Sequence, residues 1–411
     1  MRKMFLMKGC PGSGKTTLIR EWGVEDLAVS RDSLRALYAP VMGAFGGSTR
    51  SLGSKVEKRI SQLAREVVRA RCELGATVFV DNTNHNSSAQ RDYVRIAREY
   101  GYEHIVVDVQ GQLTVQGVAS RVNSHPYNQM SEEVIRDFHR RHFNSGNFGD
   151  PRVISPDEVL DELVGEVLDL SGYRKVVVVG DVQSCAQELE AVVEQESRDE
   201  DVFYVFTGDL FDRGPDAHGV FNLVNRIGRG NCRLIMGNHD EHLYRVLGSA
   251  SEDRYAQTRE SVANLRAHRV SRAAIRRWVD RFVPYVDFTY RGRRFFACHG
   301  GVDVSRLNHD EQGRIQAGRI ADVEFIQGTR SLDATHRGVG DYSAEVEGRL
   351  RDGALASSVY DGLFHGHRNA EHYGLDEFAP SYNLESEVEY GGGLSYAVID
   401  AAGVHPHKLV V

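Results

Sequence analysis

The sequence predicts an α/β protein of two domains, the first built on a parallel sheet and the second an α/β sandwich. The chain has 411 residues, more than one hydrophobic core usually supports. Strand-length apolar runs alternate with helical stretches in the first part, which is typical of a parallel sheet covered on both faces. From residue 175 onward, apolar runs lead directly into motifs of Asp, Asn and His, which favours chemistry at the carboxyl ends of strands.

The first domain is predicted to hold strands over residues 4–7, 27–29, 77–80 and 104–109. Helices are expected over 16–22, over 56–73 with Gly75 as its end, and over 131–143 with Ser131 as N-cap. A stretch rich in Gly, Asn and Asp follows at 144–151, and a further helix is predicted over 156–170. We therefore place the boundary near Gly172, which predicts domains 1–172 and 173–411.

The second domain is predicted to have strands over 176–180, 202–207, 233–236, 295–297 and 363–364. Each of these runs ends where a polar motif begins. Because the carboxyl ends of parallel strands share one edge of a sheet, the motifs are expected to meet at a single site.

Residues 9–16, Gly-Cys-Pro-Gly-Ser-Gly-Lys-Thr, match the phosphate-loop pattern between a predicted strand and a predicted helix. The glycines let backbone N–H groups surround phosphate oxygens, Lys15 reaches the β and γ phosphates, and Thr16 holds Mg²⁺. The motif by itself indicates nucleotide binding, so ATP and Mg²⁺ are the expected cofactors. The predicted ATP-binding residues here are Gly9, Gly12, Ser13, Gly14, Lys15, Thr16 and Thr17.

Two further segments bear on the acceptor. Asp32 follows the second predicted strand, where a carboxylate can take a proton from a hydroxyl, and Arg35 lies three residues on. Asp81 and Asn84 end the third strand, where polar groups suit substrate contacts. Taken alone, each segment has an alternative that stays open: a helix start capped by Asp32, and an Asn-rich turn at 81–84.

In this order, GCPGSGKTT, SRDxxR and DNTN make the first 150 or so residues resemble the kinase domain of phage polynucleotide kinase and bacterial polynucleotide kinase-phosphatases. The resemblance implies that Asp32 is the general base for a 5′-hydroxyl and that Arg35 contacts the acceptor-end phosphate. It implies acceptor contacts for Asn84 and a lid over the donor phosphates carrying Arg121. Two departures stand out. The family's third-strand Asp corresponds to Asp81 or Asn82, and residues 123–126 hold no second lid arginine.

Five motifs follow one another in the second half: Gly180–Gln183, Gly208–Gly214, Gly237–Asp240, His299–Gly301 and His365–His367. Carboxylate, amide and imidazole groups are ligands for Mn²⁺, Fe and Zn²⁺. A bridging carboxylate can hold two metals roughly 3.5–4 Å apart, as hydrolytic phosphatases do. The set therefore predicts a two-metal hydrolytic site.

The five motifs resemble those of the calcineurin-like metallophosphoesterases, over about residues 175–400. The resemblance implies metal ligands Asp181, Gln183, Asp209 (bridging), Asn238, His299 and His367. It implies that Arg213 and His239 contact the phosphate, with His239 as acid for the leaving group. Gln183 stands where most members carry His, so the first site is expected to be weaker or tuned toward Mn²⁺ or Mg²⁺ rather than Zn²⁺. For the two-metal site as a whole Mn²⁺ is favoured, with Ni²⁺, Fe or Zn²⁺ as alternatives. His365 is a spare imidazole beside the ligand set, and Glu385 matches an acidic residue near the site in bacterial relatives.

Charge and cysteine content exclude some classes. The net charge of −8 is unlike a general nucleic-acid binder, although a local patch could still bind a strand end. Five widely spaced cysteines without a CxxC pair argue against a disulfide framework or structural zinc. The short apolar N-terminus predicts no signal peptide, and no run is long enough for a membrane span, so a cytoplasmic protein without membrane contact is expected.

The leading hypothesis is a bifunctional enzyme that heals the ends of RNA or DNA. It would phosphorylate 5′-hydroxyls with ATP and remove a 3′-phosphate or 2′,3′-cyclic phosphate, and a separate ligase would seal the break because no ligase-like module is expected here. The alternative is a dinucleoside-polyphosphate or phosphoprotein phosphatase, of the diadenosine-tetraphosphatase type, fused to a small-molecule kinase. A binding module with inactive sites is a third hypothesis, opposed by the intact Lys15, Asp32, Asp209 and His239. RNA versus DNA preference, the metal and homodimer formation stay open.

Overall fold

The computed structural model describes residues 2–38, 54–109, 133, 135–137, 146–197, 201–247, 255–302, 304, 307–328, 359–368 and 380–411. It divides into two compact units. The first comprises residues 1–164 and 316–322, and the second comprises 165–315 and 323–411.

The first unit contains a five-stranded parallel sheet with the order β2-β3-β1-β4-β5. Its strands are β1 (Lys3–Lys8), β2 (Ala28–Ser30), β3 (Val78–Asp81), β4 (Glu103–Asp108) and β5 (Arg152–Ile154). The α/β fold class predicted for this half is confirmed. The strands predicted from apolar runs agree with β1–β4 within one or two residues, because these strands are buried on both faces and their runs are continuous.

Helices cover both faces of this sheet, and two apolar clusters lie between them and the strands. The helices are α1 (Lys15–Glu21), α2 (Arg31–Tyr38), α3 (Ser54–Glu73) and α4 (Ser87–Glu99). The helix α4 was not predicted; its N-cap is Asn86, which accepts a hydrogen bond from the Ala89 N–H at 2.9 Å. The predicted helix over 131–143 lies mostly outside the described residues, of which 133 and 135–137 are helical.

The helix predicted over residues 156–170 is wrong. A 3₁₀ turn (Pro156–Glu158) and the short helix α5 (Val159–Glu162) are followed by strand β6 (Val167–Asp169). This strand pairs in parallel with residues 287–289, and Leu170 packs into the apolar cluster beside it. Gly165 lies between α5 and β6. The position requires glycine, because a Cβ there would lie 1.9 Å from the Tyr285 hydroxyl. Tertiary pairing therefore overrides the local helical periodicity.

The second unit is a sandwich of two sheets, as predicted for its class. Its remaining strands are β7 (Lys175–Val179), β8 (Val202–Phe206), β9 (Cys232–Ile235), β10 (Phe282–Val283), β11 (Tyr285–Tyr290), β12 (Arg293–Cys298), β13 (Gly362–His365), β14 (Ser381–Asn383), β15 (Leu394–Ile399) and β16 (Val404–Leu409). One sheet has the order β10-β9-β8-β7-β15-β16 and the other β14-β13-β12-β11-β6. Parallel pairs join β7 to β8, β8 to β9, and β12 to β13.

Alternation along β7 shows how the sandwich is built. Val176 and Val178 face the other sheet, where they pack among Phe288 and Phe295, whereas Val177 lies in the cluster under the helices. These helices are α6 (Ala186–Glu196), α7 (Ala217–Ile227), α8 (Asn238–Leu247), α9 (Ala256–Ala267), α10 (Arg272–Val279) and α11 (Asp322–Gln327). Across the described part of the chain, none of the helices combines the length and the apolar character needed to span a bilayer.

The segment 316–322 belongs to the first unit although it follows most of the second unit in sequence. Arg319 donates hydrogen bonds to the carbonyl oxygens of Trp22 (2.6 Å) and Gly23, directly after α1. Asp322 accepts from Arg2 Nε at 3.0 Å, and the Gly318 N–H donates to the Leu163 carbonyl at 2.8 Å. The first unit is therefore assembled from two separate stretches of chain.

Glu162 forms ion pairs that make the stability of this unit depend on pH. It pairs with Arg152 (2.5 Å) and Lys3 (2.7 Å), and its side chain is 16% exposed. The hydrogen bonds from Arg152, followed by those from Lys3, lower the pKa of Glu162 from 4.5 to about 2. Because the folded pKa lies below the unfolded one, the stabilisation is complete above about pH 4.5 and is lost as the pH falls towards 2.

Glu162→Gln is expected to lower the free energy of unfolding of the first unit by about 2 kcal/mol at pH 7. The difference from the unsubstituted protein is expected to shrink below pH 4.5 and to vanish near pH 2. Urea titrations at a series of pH values measure it. Asp161→Asn is the control, because it removes one negative charge from the residue next to Glu162. Glu158→Gln is unsuitable, because the Glu158 carboxylate caps a turn. A pH-independent loss in Glu162→Gln would contradict the expectation.

Candidate active sites

The phosphate loop lies between β1 and α1 and is folded around the side chain of Lys15. Lys15 Nζ donates to the carbonyl oxygens of Gly9 (3.0 Å) and Cys10 (2.9 Å), and the residue is 8% exposed. Burial lowers the pKa of Lys15. Gly12 and Gly14 have φ values of 76° and 99°, the left-handed region that glycine enters without steric cost. The predicted loop residues are thus brought together around one ammonium group.

Thr16 and Asp81 meet at the edge of the loop. Thr16 Oγ1 donates to Asp81 Oδ2 at 2.8 Å, and burial raises the pKa of this carboxyl group. A hydroxyl and a carboxylate so placed fit a Mg²⁺ ion carried by a nucleotide, because Mg²⁺ prefers such oxygen ligands. The geometry favours Asp81 as a residue that would bind Mg²⁺, whereas the sequence predicted that it contacts the acceptor substrate. Thr17, the next predicted residue, is exposed on α1.

Asp32 lies on the first turn of α2, just past β2, with 57% of its side chain exposed. It forms an ion pair with Arg35, and Arg35 also pairs with Glu57 through Nε (2.8 Å) and Nη2 (2.9 Å). The hydrogen bonds to Glu57 raise the pKa of Arg35. Glu57 was not predicted as a functional residue, because it lies 22 residues from Arg35 on another helix. A lone Glu on an amphipathic helix gives no distinguishing signal.

Asn84 lies inside the protein rather than in an open site. It is 1% exposed, and its Nδ2 donates to the carbonyl oxygens of Met7 (3.1 Å) and Val80 (2.9 Å). Its φ of 38° lies in the left-handed region, and its side-chain amide holds the loop after β3 against β1. Its predicted contact with an acceptor stays a prediction. Arg121 and residues 123–126 lie outside the described residues.

In the second unit, the ligand atoms of Asp181, Asp209 and His299 lie within 4.8 Å of one another, and all three residues are buried. They follow β7, β8 and β12. His299 Nε2 lies 3.5 Å from Asp209 Oδ1 and 3.1 Å from Asn238 Oδ1. His299 Nδ1 lies 3.0 Å from the Thr207 carbonyl. A carbonyl oxygen can only accept a hydrogen bond, so Nδ1 carries a hydrogen, and Nε2 is the ring nitrogen that faces the other candidate ligand oxygens.

Two buried oxygens point to a cation at this place. Asp181 Oδ1 and Gln183 Oε1 have no hydrogen-bond partner among the described residues. Gln183 donates through Nε2 to Asp209 Oδ2 at 3.3 Å, and the His367 N–H donates to Asp181 Oδ2 at 3.2 Å. Buried acceptors are normally satisfied, and a carboxylate oxygen beside an amide oxygen suits a hard divalent ion. The residues therefore fit the metals implied by the motifs.

The backbone is strained where these side chains project. Gln183 (49°), Asp209 (48°) and His367 (66°) all have positive φ values, which are uncommon for residues with a Cβ. Such strain concentrates at functional sites, where the surrounding structure holds it in place. Glycines allow the close approach: a Cβ on Gly366 would lie 1.8 Å from Asp181 Oδ1, and one on Gly237 would lie 2.1 Å from Asp209 Oδ1.

The carboxyl groups of this centre differ in their proton affinity. Burial, followed by the charge of Glu385, raises the pKa of Asp181. Burial acts in the same direction on Asp209, but the charge and hydrogen bond of His299 outweigh it and hold the Asp209 pKa below its usual range. Glu385 is 6% exposed and accepts from the Glu387 N–H at 2.7 Å. It thus lies beside the metal-ligand cluster, as predicted by resemblance.

His365 and His367 flank Gly366 but differ in position. The ring of His367 lies against that of His299 at a tilt of 55°, with centroids 4.9 Å apart, and burial lowers the pKa of His367 to about 3. His365 is the last residue of β13, fully buried, and its Nδ1 lies 3.1 Å from the Gly366 carbonyl. The structure places His367 with the other predicted ligands and His365 behind them.

A second group surrounds His239. Its Nδ1 lies 3.0 Å from Asp212 Oδ2, and Arg213 Nη2 lies 3.1 Å from its Nε2. Burial opposes protonation of His239, but the hydrogen bond to Asp212 outweighs it and raises the pKa. Arg213 is anchored by the buried Glu389 at 2.9 Å. The predicted phosphate contacts Arg213 and His239 are therefore adjacent, and the backbone N–H of His239 donates to Asp209 Oδ1 at 2.9 Å.

Asp212 lies within the motif Gly208–Gly214, but the sequence predicted no role for it. It is 1% exposed, and its carboxylate accepts from Thr258 Oγ1 (2.5 Å), Ser261 Oγ (2.8 Å) and the His239 ring. Together with His242 it forms another group of potential ligand atoms. Because three donors already occupy its oxygens, we interpret Asp212 as the residue that orients His239 rather than as a metal ligand.

Asp212→Asn is expected to lower kcat about 10–100-fold for phosphate esters with poor leaving groups, because the His239 ring loses the carboxylate that orients and charges it. Esters with good leaving groups need little protonation, so their kcat is expected to change much less. Steady-state kinetics over a series of aryl phosphates measures how steeply log kcat depends on the pKa of the leaving group. An equal loss for every ester would instead indicate a disturbed metal centre, and unchanged rates would exclude this role for Asp212.

Comparison with known proteins agrees with this geometry. A family model described as calcineurin-like phosphoesterase matches residues 174–380, half of the chain. The chain belongs to the calcineurin-like phosphoesterase family. A second model, described as an AAA domain, matches residues 4–144. The protein thus joins a region similar to an AAA domain, which carries the phosphate loop, to a metallophosphoesterase domain.

Similar curated proteins include symmetrical bis(5′-nucleosyl)-tetraphosphatases. That of Pectobacterium atrosepticum is 39% identical over 79 residues, which is 19% of this chain and 27% of the relative. That of Photorhabdus laumondii is 35% identical over 79 residues, 19% of this chain and 28% of the relative. The chain therefore aligns with about a quarter of the length of these relatives.

Among solved structures, a putative diadenosine tetraphosphatase is 18% identical with a TM-score of 0.40, covering 59% of this chain and 97% of that one. A putative kinase from Chloroflexus aurantiacus is 14% identical with a TM-score of 0.30, covering 40% of this chain and 91% of that one.

Proposed function

We propose that this calcineurin-like phosphoesterase is a bifunctional enzyme that heals broken ends of nucleic acid, with RNA as the first substrate to test. Its first unit transfers phosphate from ATP to a 5′-hydroxyl, and its second removes a 3′-phosphate or opens and removes a 2′,3′-cyclic phosphate. The observation that carries the proposal is the exposed Asp32 carboxylate, paired with Arg35, in a unit that also holds a complete phosphate loop.

The kinase step follows from these positions. Asp32 takes the proton of the 5′-hydroxyl, the oxygen attacks the γ-phosphorus of ATP, and ADP leaves. Lys15 stabilises the charge on the transferred phosphate, and Thr16 with Asp81 would hold the Mg²⁺ that accompanies ATP. Arg35, fixed by Glu57, contacts a phosphate of the acceptor. Asp32 is exposed enough to reach a large substrate.

In the second unit, Asp181, Gln183, Asp209, Asn238, His299 and His367 would hold two divalent ions. Such metals supply Lewis acidity and an activated water. Arg213 orients the phosphate, and its anchoring by Glu389 limits the guanidinium to one direction. In its protonated form His239 gives a proton to the departing oxygen, while Asp212 holds the ring through Nδ1 and stabilises the charged form.

One oligonucleotide tests both halves. The full chain is incubated with ATP, Mg²⁺ or Mn²⁺, and a 5′-hydroxyl RNA that ends in a 2′,3′-cyclic phosphate, and product masses are read. The expected product has gained a 5′-phosphate and lost its 3′-terminal phosphate. If both ends stay unchanged with either metal, the proposal is wrong.

Hydrolysis of dinucleoside polyphosphates is a second candidate. The relatives named as bis(5′-nucleosyl)-tetraphosphatases favour it. Diadenosine tetraphosphate is therefore included as a separate substrate. Rapid hydrolysis of this compound, with RNA ends untouched, would replace end healing by this activity.

A further inference from the structure

The side chain of Gln90, on α4, is fully buried and hydrogen-bonded through both of its polar atoms. Its Nε2 donates to the Asn84 carbonyl (2.9 Å) and to Asn147 Oδ1 (2.9 Å). Its Oε1 accepts from the Phe148 N–H at 2.8 Å. A buried amide costs free energy unless it is bonded, so this side chain contributes through its three hydrogen bonds rather than through apolar packing. One amide thus joins the loop after β3 to the segment that precedes β5.

The loop after β3 is in turn bonded to the chain that enters the phosphate loop. Asn84, whose carbonyl accepts from Gln90, donates from its Nδ2 to the Met7 carbonyl at 3.1 Å. The carbonyl of the adjacent Thr83 accepts from the Gly9 N–H at 3.1 Å. The first glycine of the phosphate loop and the last residue but one before it are therefore fixed by a loop that Gln90 supports.

The segment before β5 holds the residue between these two. Lys8 is 5% exposed, and its Nζ donates to Asn147 Oδ1 at 3.3 Å. The same oxygen accepts from Gln90 Nε2. Three consecutive residues at the entrance of the phosphate loop are thus connected to one buried amide.

This entrance determines where Lys15 lies. The carbonyl oxygens of Gly9 and Cys10 accept from Lys15 Nζ at 3.0 and 2.9 Å. The backbone N–H groups of the loop have to converge on the phosphates of ATP, and a displacement of about 1 Å at such a site can cost about 100-fold in rate. Accurate placement of residues 7–9 therefore matters for nucleotide binding.

We propose that Gln90 is a positioning residue for the phosphate loop, and that it holds the entrance of the loop in the path that binds ATP. This inference rests on the proposed kinase function and adds a determinant of ATP affinity that lies outside the phosphate-loop motif. Because Gln90 is fully buried, it acts through Asn84 and Asn147 rather than by touching the nucleotide. Its substitution is expected to weaken ATP binding without changing the groups that contact ATP.

The test is the affinity of the full-length protein for ATP. Gln90→Met keeps the length and nearly the volume of the side chain but removes all three hydrogen bonds. The Kd of a nonhydrolysable ATP analogue with Mg²⁺, measured by isothermal titration, is expected to rise about tenfold. In the kinase assay the KM for ATP is expected to rise about as much. The KM for a 5′-hydroxyl strand is expected to change less than about twofold, since Asp32 and Arg35 lie on α2.

Tyr102→Phe is the matched control. The Tyr102 hydroxyl donates to the Ala76 carbonyl at 2.8 Å, near the amino-terminal ends of β3 and β4 and so at the opposite edge of the sheet. The variant removes a buried hydrogen bond from the same unit, so it is expected to lower the free energy of unfolding and to leave the Kd for the analogue unchanged. Urea titration of each variant shows whether the losses of stability are comparable.

Asn147→Ala tests the same network from its other side. It removes the oxygen shared by Gln90 and Lys8 and leaves the bonds of Gln90 to the Asn84 carbonyl and the Phe148 N–H in place. The Kd is expected to rise about fivefold. Combined with Gln90→Met, the rise is expected to be smaller than the product of the two single rises, because both substitutions remove the same bond. Two independent losses of stability would not show this coupling.

The outcomes separate the two proposals. If the unsubstituted protein binds the analogue but phosphorylates no strand, the proposed kinase function fails, and the Kd values still decide the role of Gln90. If strands are phosphorylated but Gln90→Met and Asn147→Ala leave the Kd unchanged, the inference is overturned and the kinase function stands. An equal rise of the Kd in Tyr102→Phe also overturns the inference, and no binding of the analogue by the unsubstituted protein overturns both proposals. If Gln90→Met does not fold, the Kd of Asn147→Ala decides.

Discussion

Asp209→Asn is expected to reduce phosphoesterase activity by about 10³-fold or more. Asp209 lies at the centre of the ligand cluster, within hydrogen-bond reach of Gln183 and 3.5 Å from His299 Nε2. The substitution keeps the shape but removes the charge that two adjacent cations need between them. Losing several kcal/mol of metal and transition-state stabilisation corresponds to a rate change of this size.

The measurement combines two readouts on the full chain: kcat with a generic phosphomonoester in Mn²⁺, and bound metal per protein by elemental analysis. Both are expected to fall. Asp216→Asn is a matched control, because asparagine still accepts the hydrogen bond from the Gly219 N–H that caps α7 and the residue lies outside the ligand cluster. Full activity and full metal content in Asp209→Asn would show that this carboxylate does not bridge the metals.

Asp32→Asn is expected to lower kcat of the kinase reaction by about 10²–10⁴-fold, the usual contribution of a general base. The amide can still accept a hydrogen bond from Arg35, so the helix start is expected to remain intact. ATP binding should persist, because Lys15, Thr16 and Asp81 are untouched. Phosphoesterase activity should also be unchanged, since its ligands follow other strands in the second unit.

Radiolabel transfer from ATP to a 5′-hydroxyl strand measures the kinase rate, and isothermal titration with a nonhydrolysable ATP analogue measures binding. Asp26→Asn serves as the control, because it removes an exposed carboxylate from a 3₁₀ turn of the same unit. If Asp32→Asn retains the full kinase rate, the proton must leave by another route and the assignment of Asp32 is wrong. Loss of ATP binding would show instead that Asp32 supports the nucleotide site.

The candidate metal ligands could be proposed from the sequence because their signal is local and repeated. Each motif directly follows a buried strand, and β7, β8 and β9 are parallel neighbours. Geometry then obliges Asp181, Asp209 and Asn238 to meet at one sheet edge. The phosphate loop could also be predicted from the sequence. Gly12 and Gly14, which precede Lys15, have positive φ values that other residues rarely adopt.

The partners of the functional side chains had no such signal. Glu389 anchors Arg213 from 176 residues away, and Thr258 reaches Asp212 from 46 residues away. Each of these is an ordinary polar residue within its own segment. Their importance comes from burial beside one charge, and burial depends on how distant elements pack.

The sequence by itself determined the α/β class, the strand ends that carry the chemistry, and the identity of the candidate ligands, because each depends on residues close together along the chain. Only the tertiary structure decided that residues 167–169 form an edge strand, that residues 316–322 complete the first unit, and that Glu57 ties Arg31 to Arg35. These features rest on contacts between residues far apart in sequence, where local preference is weak and packing determines the outcome.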